Sequence, residues 1–250
     1  MTKRSKRWWY VAALVAIVTV ILLLFRYELV FAWQRMRLSR LPAREKLWAH
    51  RVNSYQRFNY LAAYFPGLET DVVFDAGLKK FMVHHPPAPA TGLSVETYFK
   101  QLKPLQKRLW LDVKGVDTAD YNKAVAFFTT CDSLYAIKEQ VIIECSQIGF
   151  VNILAEHGFI TSWEVPIDYL QPETPLQTID SIKQQLLPAV QYVSQEDIFL
   201  PMLKTHFKGR KIITWALSFN NYFDLSHLRS LIADTSVRVI LINCKSKGYL

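Results

Sequence analysis

The chain has 250 residues, enough for one large domain with a proper core. Its net charge of +9 is concentrated at the start: residues 1–40 hold eight Lys/Arg against one Glu, which leaves only +2 for the other 210. That distribution argues against a nucleic-acid-binding domain and points to a basic segment beside a membrane. Three cysteines, Cys131, Cys145 and Cys244, are too few for a disulfide framework and lack zinc-like spacing.

In chain order, residues 1–7 ("MTKRSKR") form a basic tail. Residues 8–25 ("WWYVAALVAIVTVILLLF") carry no charge, and as a helix would span roughly 27 Å. Trp8, Trp9 and Tyr10 suit a membrane interface, and Arg26 can snorkel. No small-residue cleavage site follows, so the run is expected to be an uncleaved transmembrane signal anchor. The basic tail favours an inside N-terminus, although Arg26, Arg35, Arg37 and Arg40 lie on the far side. The expected location is a bacterial inner membrane, crossed once, with the domain in the periplasm or otherwise outside the cytoplasm. Residues 26–46 read as a juxtamembrane helix or linker interrupted by Pro42.

From residue 47 onward short apolar runs alternate with helix-sized segments. Strands are expected at 46–52, 67–74, 79–85, 108–114, 140–146, 159–166, 197–203 ("DIFLPML"), 211–218 and 237–243. Ser94 is a candidate N-cap for the helix that follows it. The run at 79–85 follows its predecessor too closely for a crossover and reads as a hairpin excursion. The other eight predict a parallel α/β fold, a (β/α)8 TIM-type barrel over 47–250 preceded by the transmembrane helix. After the last strand "KSKGYL" leaves no room for a final helix. An open doubly wound sheet is the competing architecture.

Side chains alternate along a strand, so Glu69 and Asp71 share one face of theirs. Trp110, Asp112 and Lys114 share a face of another, as do Trp48, His50 and Val52. In a barrel such faces converge at the carboxyl-end mouth. Packed carboxylates there raise one another's pKa, and a divalent cation removes that cost. Oxygen ligands from Glu69, Asp71 and Asp112 suit Mg2+ or Ca2+ better than zinc. Lys114 would face an anionic substrate, and nearby histidines could move protons. Glu144 and Glu164 are expected to pair with an internal Lys or Arg rather than join the mouth. His157, His206 and His227 read as structural, with His206 placed at the end of the 197–203 strand.

The order "AHRVNS", "LETDVVF", "FMVHHPP", "LWLDVK", "IITWALS" resembles the glycerophosphodiester phosphodiesterase family, among the phospholipase-C-like phosphodiesterase barrels. The resemblance spans residues 47–243. It implies His50 and Arg51 after strand one, the metal ligands Glu69 and Asp71, a second catalytic histidine at His85 or His84, Asp112 with Lys114, and Trp215 as a substrate wall. The family's Asn-Thr pair is not recognisable here; Asn53 stands in for it, and on the resemblance Asn53 and His84 join Trp215 as substrate-binding residues. On this resemblance His50 and His85 act as general base and general acid, while Arg51 and Lys114 neutralise the phosphate. The sequence departs from the pattern at Val52 (usually Gly), at Asp112 (commonly Glu), and at Pro86 after the second histidine (usually Asp). The implied activity is metal-dependent hydrolysis of a glycerophosphodiester, lipid head group or cell-envelope phosphodiester. The departures motivate an alternative, an inactive barrel that binds an anionic envelope component or a protein partner. A nucleotide-sugar enzyme is a weaker alternative, since no Gly-rich loop is present among eight glycines.

Overall fold

The structure is a computed structural model that describes residues 3–216 and 225–244, with side chains from Trp8 onward. The chain divides into two compact units, one holding both N-terminal helices and the other Leu41–Asn243. In the first unit, helix α1 (Lys3–Leu24) and helix α2 (Arg26–Leu38) meet at a bend of 68°. Large apolar side chains of α1 are exposed along its length, from Trp8 to Leu24. Among the described residues no single helix is long and apolar enough to cross a membrane; Trp8–Leu24 and Arg26–Leu38 pass together as a bent pair, by length and composition. The expected 26–46 helix stops at Leu38, short of Pro42, whose ring disfavours helix in the residue before it.

The second unit is a closed parallel barrel. Its strands are β1 (Leu47–Ala49), β2 (Gly67–Asp75), β4 (Arg108–Lys114), β5 (Val141–Cys145), β6 (Ile160–Glu164), β7 (Tyr192–Glu196), β8 (Lys211–Trp215) and β9 (Val237–Ile242). Each pairs in parallel with its neighbours, and β1 closes the ring by pairing with both β9 and β2. That closure excludes the open sheet. The hairpin strand β3 (Lys80–Val83) lies antiparallel on β2, as its short connection requires. Helices α3 (Tyr55–Ala62), α4 (Glu96–Leu105), α5 (Tyr121–Tyr135), α6 (Ile148–Glu156), α7 (Leu176–Gln185), α8 (Leu200–His206) and α9 (Ser226–Ala233) fill the crossovers. Residues 245–250, on which the expected absence of a final helix bears, lie outside the described residues.

Alternation sorts two cores. Trp48, Trp110, Ile142, Ile213, Val239 and Leu241 point inward and plug the barrel. Outward residues such as Leu68, Leu111 and Ile143 are fully buried, as are Phe58, Tyr98 and Phe128 of α3, α4 and α5. Ser54 caps α3 by accepting the Arg57 N–H. The N-cap of α4 is Val95, not the expected Ser94, whose hydroxyl one residue earlier accepts the Glu96 N–H. The three cysteines are buried.

One expected strand is corrected. "DIFLPML" forms a 3-10 turn at Asp197–Phe199 and then α8, with Pro201 in the first turn where its missing N–H costs nothing. The strand lies just before it, at Tyr192–Glu196. His206 therefore ends a helix, not a strand. The remaining strands fall within the expected runs or overrun them by one residue. Residues 217–218 of the expected eighth run lie outside the described residues.

Candidate active site

Strand register builds the site. Asp71 of β2 pairs with Asp112 of β4, and Asp112 pairs with Glu144 of β5. Three carboxylates thus stand side by side on adjacent strands, whose axes run about 4.8 Å apart. Glu69 sits two residues below Asp71, and Glu164 ends β6. All five carboxylates line one cavity of about 210 Å³ at the carboxyl end of the strands. His50, Arg51, His85, Lys114 and Trp215 line it too. Trp215 stands beside Trp110, ring centres 6.4 Å apart, so it roofs the apolar plug and walls the polar mouth.

The loop after β1 is shaped around Glu69. Arg51 adopts a left-handed backbone (φ 55), and its N–H donates to Glu69 Oε2 at 2.6 Å. The Val52 N–H donates to the Glu69 carbonyl, and the Val52 carbonyl accepts the Tyr98 hydroxyl. Val52 is fully buried and does not line the cavity, so its replacement of the usual Gly leaves the mouth open. Asn53 donates to Asp71 Oδ2 at 2.7 Å and accepts both the Asp71 N–H and the Thr70 hydroxyl. Its place in the structure is that of a clamp on β2, aiming Asp71. Buried Arg57 donates to the Arg51 carbonyl from below.

The two histidine positions separate. His50 bonds Asn243 Oδ1 through Nδ1 at 3.0 Å, which leaves Nε2, 3.6 Å from Glu69 Oε2, facing the cavity. His85 Nε2 lies 3.8 Å from Asp71 Oδ1. His84 instead bonds the Ala88 carbonyl and does not line the cavity. His157, His206 and His227 do not line it either; His227 pairs with Asp197 at 2.6 Å.

Electrostatics follow from burial and crowding. Burial, reinforced by Asp71 and Asp112, raises the Glu69 pKa well above its ordinary value. Burial raises Asp112 against the pull of Lys114. Burial with Asp112 raises Glu144 strongly and lifts Glu164 to about 7. For Asp71 burial is outweighed by Lys114 and the Asn53 bond, so its pKa falls. Lys114 contacts both Asp112 and Asp71, and is raised despite burial. Burial, then Arg51, lowers His50 to about 4, so it is neutral at pH 7.

These residues fit a hard cation. Candidate ligand oxygens of Glu69, Asp71 and Asp112 lie within 4.8 Å of one another. Glu69 Oε1 and Asp112 Oδ1 are buried without a hydrogen-bond partner among the described residues. The shorter Asp112 therefore still reaches the cluster. Glu144 and Glu164 do not pair with an internal Lys or Arg as expected. The ammonium at hand, Lys114, is engaged by Asp71 and Asp112. The sequence reading also missed Asn243 and Arg57. Asn243 carried a usable signal, since it continues the inward alternation of Val239 and Leu241. Arg57, on a helix, carried none.

The raised carboxyls give a pH test. A raised folded pKa adds stability below the unfolded pKa, near 4.5 for Glu, which is lost as pH rises through the folded value. His50, with a lowered pKa, works the other way; its contribution is complete only about one unit above pH 6.5 and offsets part of the fall below that. Between pH 6.5 and 8, in EDTA, Tm is therefore expected to fall by a few °C as Glu164 ionises near 7. Glu164→Gln should flatten that slope. An unchanged slope would remove Glu164 as its source.

A closed eight-stranded barrel with carboxylates, a lysine and two histidines at its mouth has the architecture of the phosphodiesterase barrels. More particularly, the chain has the fold of the glycerophosphodiester phosphodiesterases. An enzyme of that name from Parabacteroides distasonis superposes with a TM-score of 0.58 at 15% identity, over 79% of this chain and 92% of that one. A protein assigned as a glycerophosphoryl diester phosphodiesterase from Silicibacter pomeroyi gives 0.60 at 14%, over 86% and 95%. A phosphodiesterase from Oleispira antarctica, in complex with its product sn-glycerol-3-phosphate, gives 0.55 at 12%, over 81% and 94%. No protein-family profile matches the sequence, and no curated protein matches it.

Proposed function

We propose that the chain is a cation-dependent phosphodiester hydrolase acting on a glycerophosphodiester. The observation that carries the reading is the Glu69–Asp71–Asp112 cluster flanked by His50 and His85 in one cavity. A divalent cation held by those carboxylates, Mg2+ or Ca2+ by the chemistry of the donors, supplies Lewis acidity toward a phosphoryl oxygen and lowers the pKa of an attacking hydroxyl or water. His50, neutral and fixed in its tautomer by Asn243, accepts the nucleophile's proton at Nε2. His85, on the hairpin side of the mouth, returns a proton to the leaving oxygen. Arg51 and Lys114 offset charge on the phosphate, and Trp215 packs against the alcohol moiety. The product bound by the Oleispira antarctica phosphodiesterase supports a glycerol-linked substrate.

The test is an assay of the full chain in detergent with bis-(p-nitrophenyl) phosphate and glycerophosphodiesters, in EDTA and in Mg2+, Ca2+ or Mn2+. Turnover is expected only with a cation and should fall about 10²–10⁴-fold in His50→Gln. No turnover with any cation would leave a barrel that binds an anionic envelope component.

The reading includes a membrane anchor at α1 and a barrel outside the cytoplasm of a bacterial cell, near lipid-derived substrates. Exposed apolar side chains along α1 and the basic tail support it. The full chain should sediment with membranes after alkaline carbonate washing, and a chain lacking residues 1–40 should not. Release of the full chain by carbonate would sink the anchor.

A further inference from the structure

The mouth holds more carboxylate than one cation uses. Asp112, Glu144 and Glu164 form a second group whose candidate ligand oxygens lie within 4.8 Å of one another. Oxygens sharing one cation stand at most about 4–5 Å apart, twice the bond length to Mg2+ or Ca2+. Glu144 is 1% exposed, lines the cavity, and its Oε2 has no hydrogen-bond partner among the described residues. The hydrogen bond it accepts favours its anion, while burial and Asp112 oppose it. The Ser162 hydroxyl donates to Ser194 at 3.0 Å, and Ser194 in turn bonds Glu144. Ser194 thus accepts one proton and points its own at the carboxylate. Lys114 is engaged by Asp71 and Asp112, and neither Glu144 nor Glu164 has an ion-pair contact among the described residues. A buried carboxylate with a free oxygen and no ion pair to a cation of the protein needs a counter-charge in order to ionise.

We propose that Asp112, Glu144 and Glu164 bind a second hard divalent cation, with Asp112 shared between the two sites. The proposal rests on the reading of Glu69, Asp71 and Asp112 as the first. A shared carboxylate suits a pair about 3.5–4 Å apart, the spacing of two-cation phosphoryl-transfer sites.

The experiment titrates Mn2+ alone into EDTA-stripped full chain in detergent. Bound metal is counted by equilibrium dialysis, and its spectrum is read by electron paramagnetic resonance. Two Mn2+ per chain with an exchange-coupled multiline signal are expected. Glu144→Gln should drop the count to one, with an uncoupled six-line signal. The less buried Glu164→Gln should do the same if the first variant misfolds. One Mn2+ in the wild type overturns the second site and spares the first. None overturns both. Two uncoupled ions indifferent to Glu144→Gln and Glu164→Gln place the extra ion elsewhere and overturn the proposal.

Discussion

Glu69→Gln is expected to lower cation-dependent turnover by about 10²–10³-fold or more while raising, not lowering, the Tm of the metal-free protein by a few °C at pH 8. The two effects share one cause. Glu69 is 1% exposed, and its Oε1 lacks a partner among the described residues. Burial, Asp71 and Asp112 all oppose its charge. The amide keeps an acceptor for the Arg51 N–H, now at 2.6 Å from Oε2, and removes a charge that the fold disfavours. What disappears is a candidate ligand of the proposed cation. Turnover and Tm of the same preparation decide it: a variant that keeps half its activity, or melts earlier in EDTA, contradicts the account.

Gly67→Ala should cost about 3 kcal/mol, at the upper end for overpacking, and lower Tm by roughly 6–12 °C. A Cβ at Gly67 would stand 2.1 Å from Trp48 Cδ2 and 2.3 Å from Cε2. The indole has little room to retreat. It packs in the barrel interior with Trp110 and Leu241, and its Nε1 donates to the Glu45 carbonyl. The clash falls beside the Ala49–Leu68 pairing through which β1 closes on β2. Trp48→Phe on the Gly67→Ala background should recover part of the loss by shrinking the obstacle. Thermal melts of wild type, single and double variants check both claims, and a single variant that melts with the wild type would refute the packing.

Most of the barrel was legible because its strands carry continuous apolar runs, buried on both faces as parallel strands are. β7 was misplaced for the opposite reason. Its sequence, "YVSQE", buries Ser194 and Gln195, so it lacks that signature, whereas the apolar "DIFLPML" beside it mimics a strand. A strand whose buried positions are polar hides from a hydrophobic pattern. Period-two alternation brought Glu69, Asp71 and Asp112 together correctly. Counting partners for Glu144 and Glu164 failed, because sequence does not show that Lys114 is already shared. Alternation with Phe81 and Val83 along β3 does not account for His85 at the cavity. Phe81 packs against Phe128 of α5, outside the barrel. His85 faces the cavity because β3 ends at Val83 and the chain then turns.

The β2–β3 hairpin therefore does more than add a strand. Val83 stands opposite Val72, and His85 follows two residues later. A slip of one residue, with Met82 opposite Val72, would carry His84 toward the place His85 holds. Phe81 and Val83 are fully buried, and a slip would turn both out. Apolar contacts remote from the cavity thus select which of two neighbouring imidazoles lines it, and a length change in the 76–79 turn is expected to exchange one for the other.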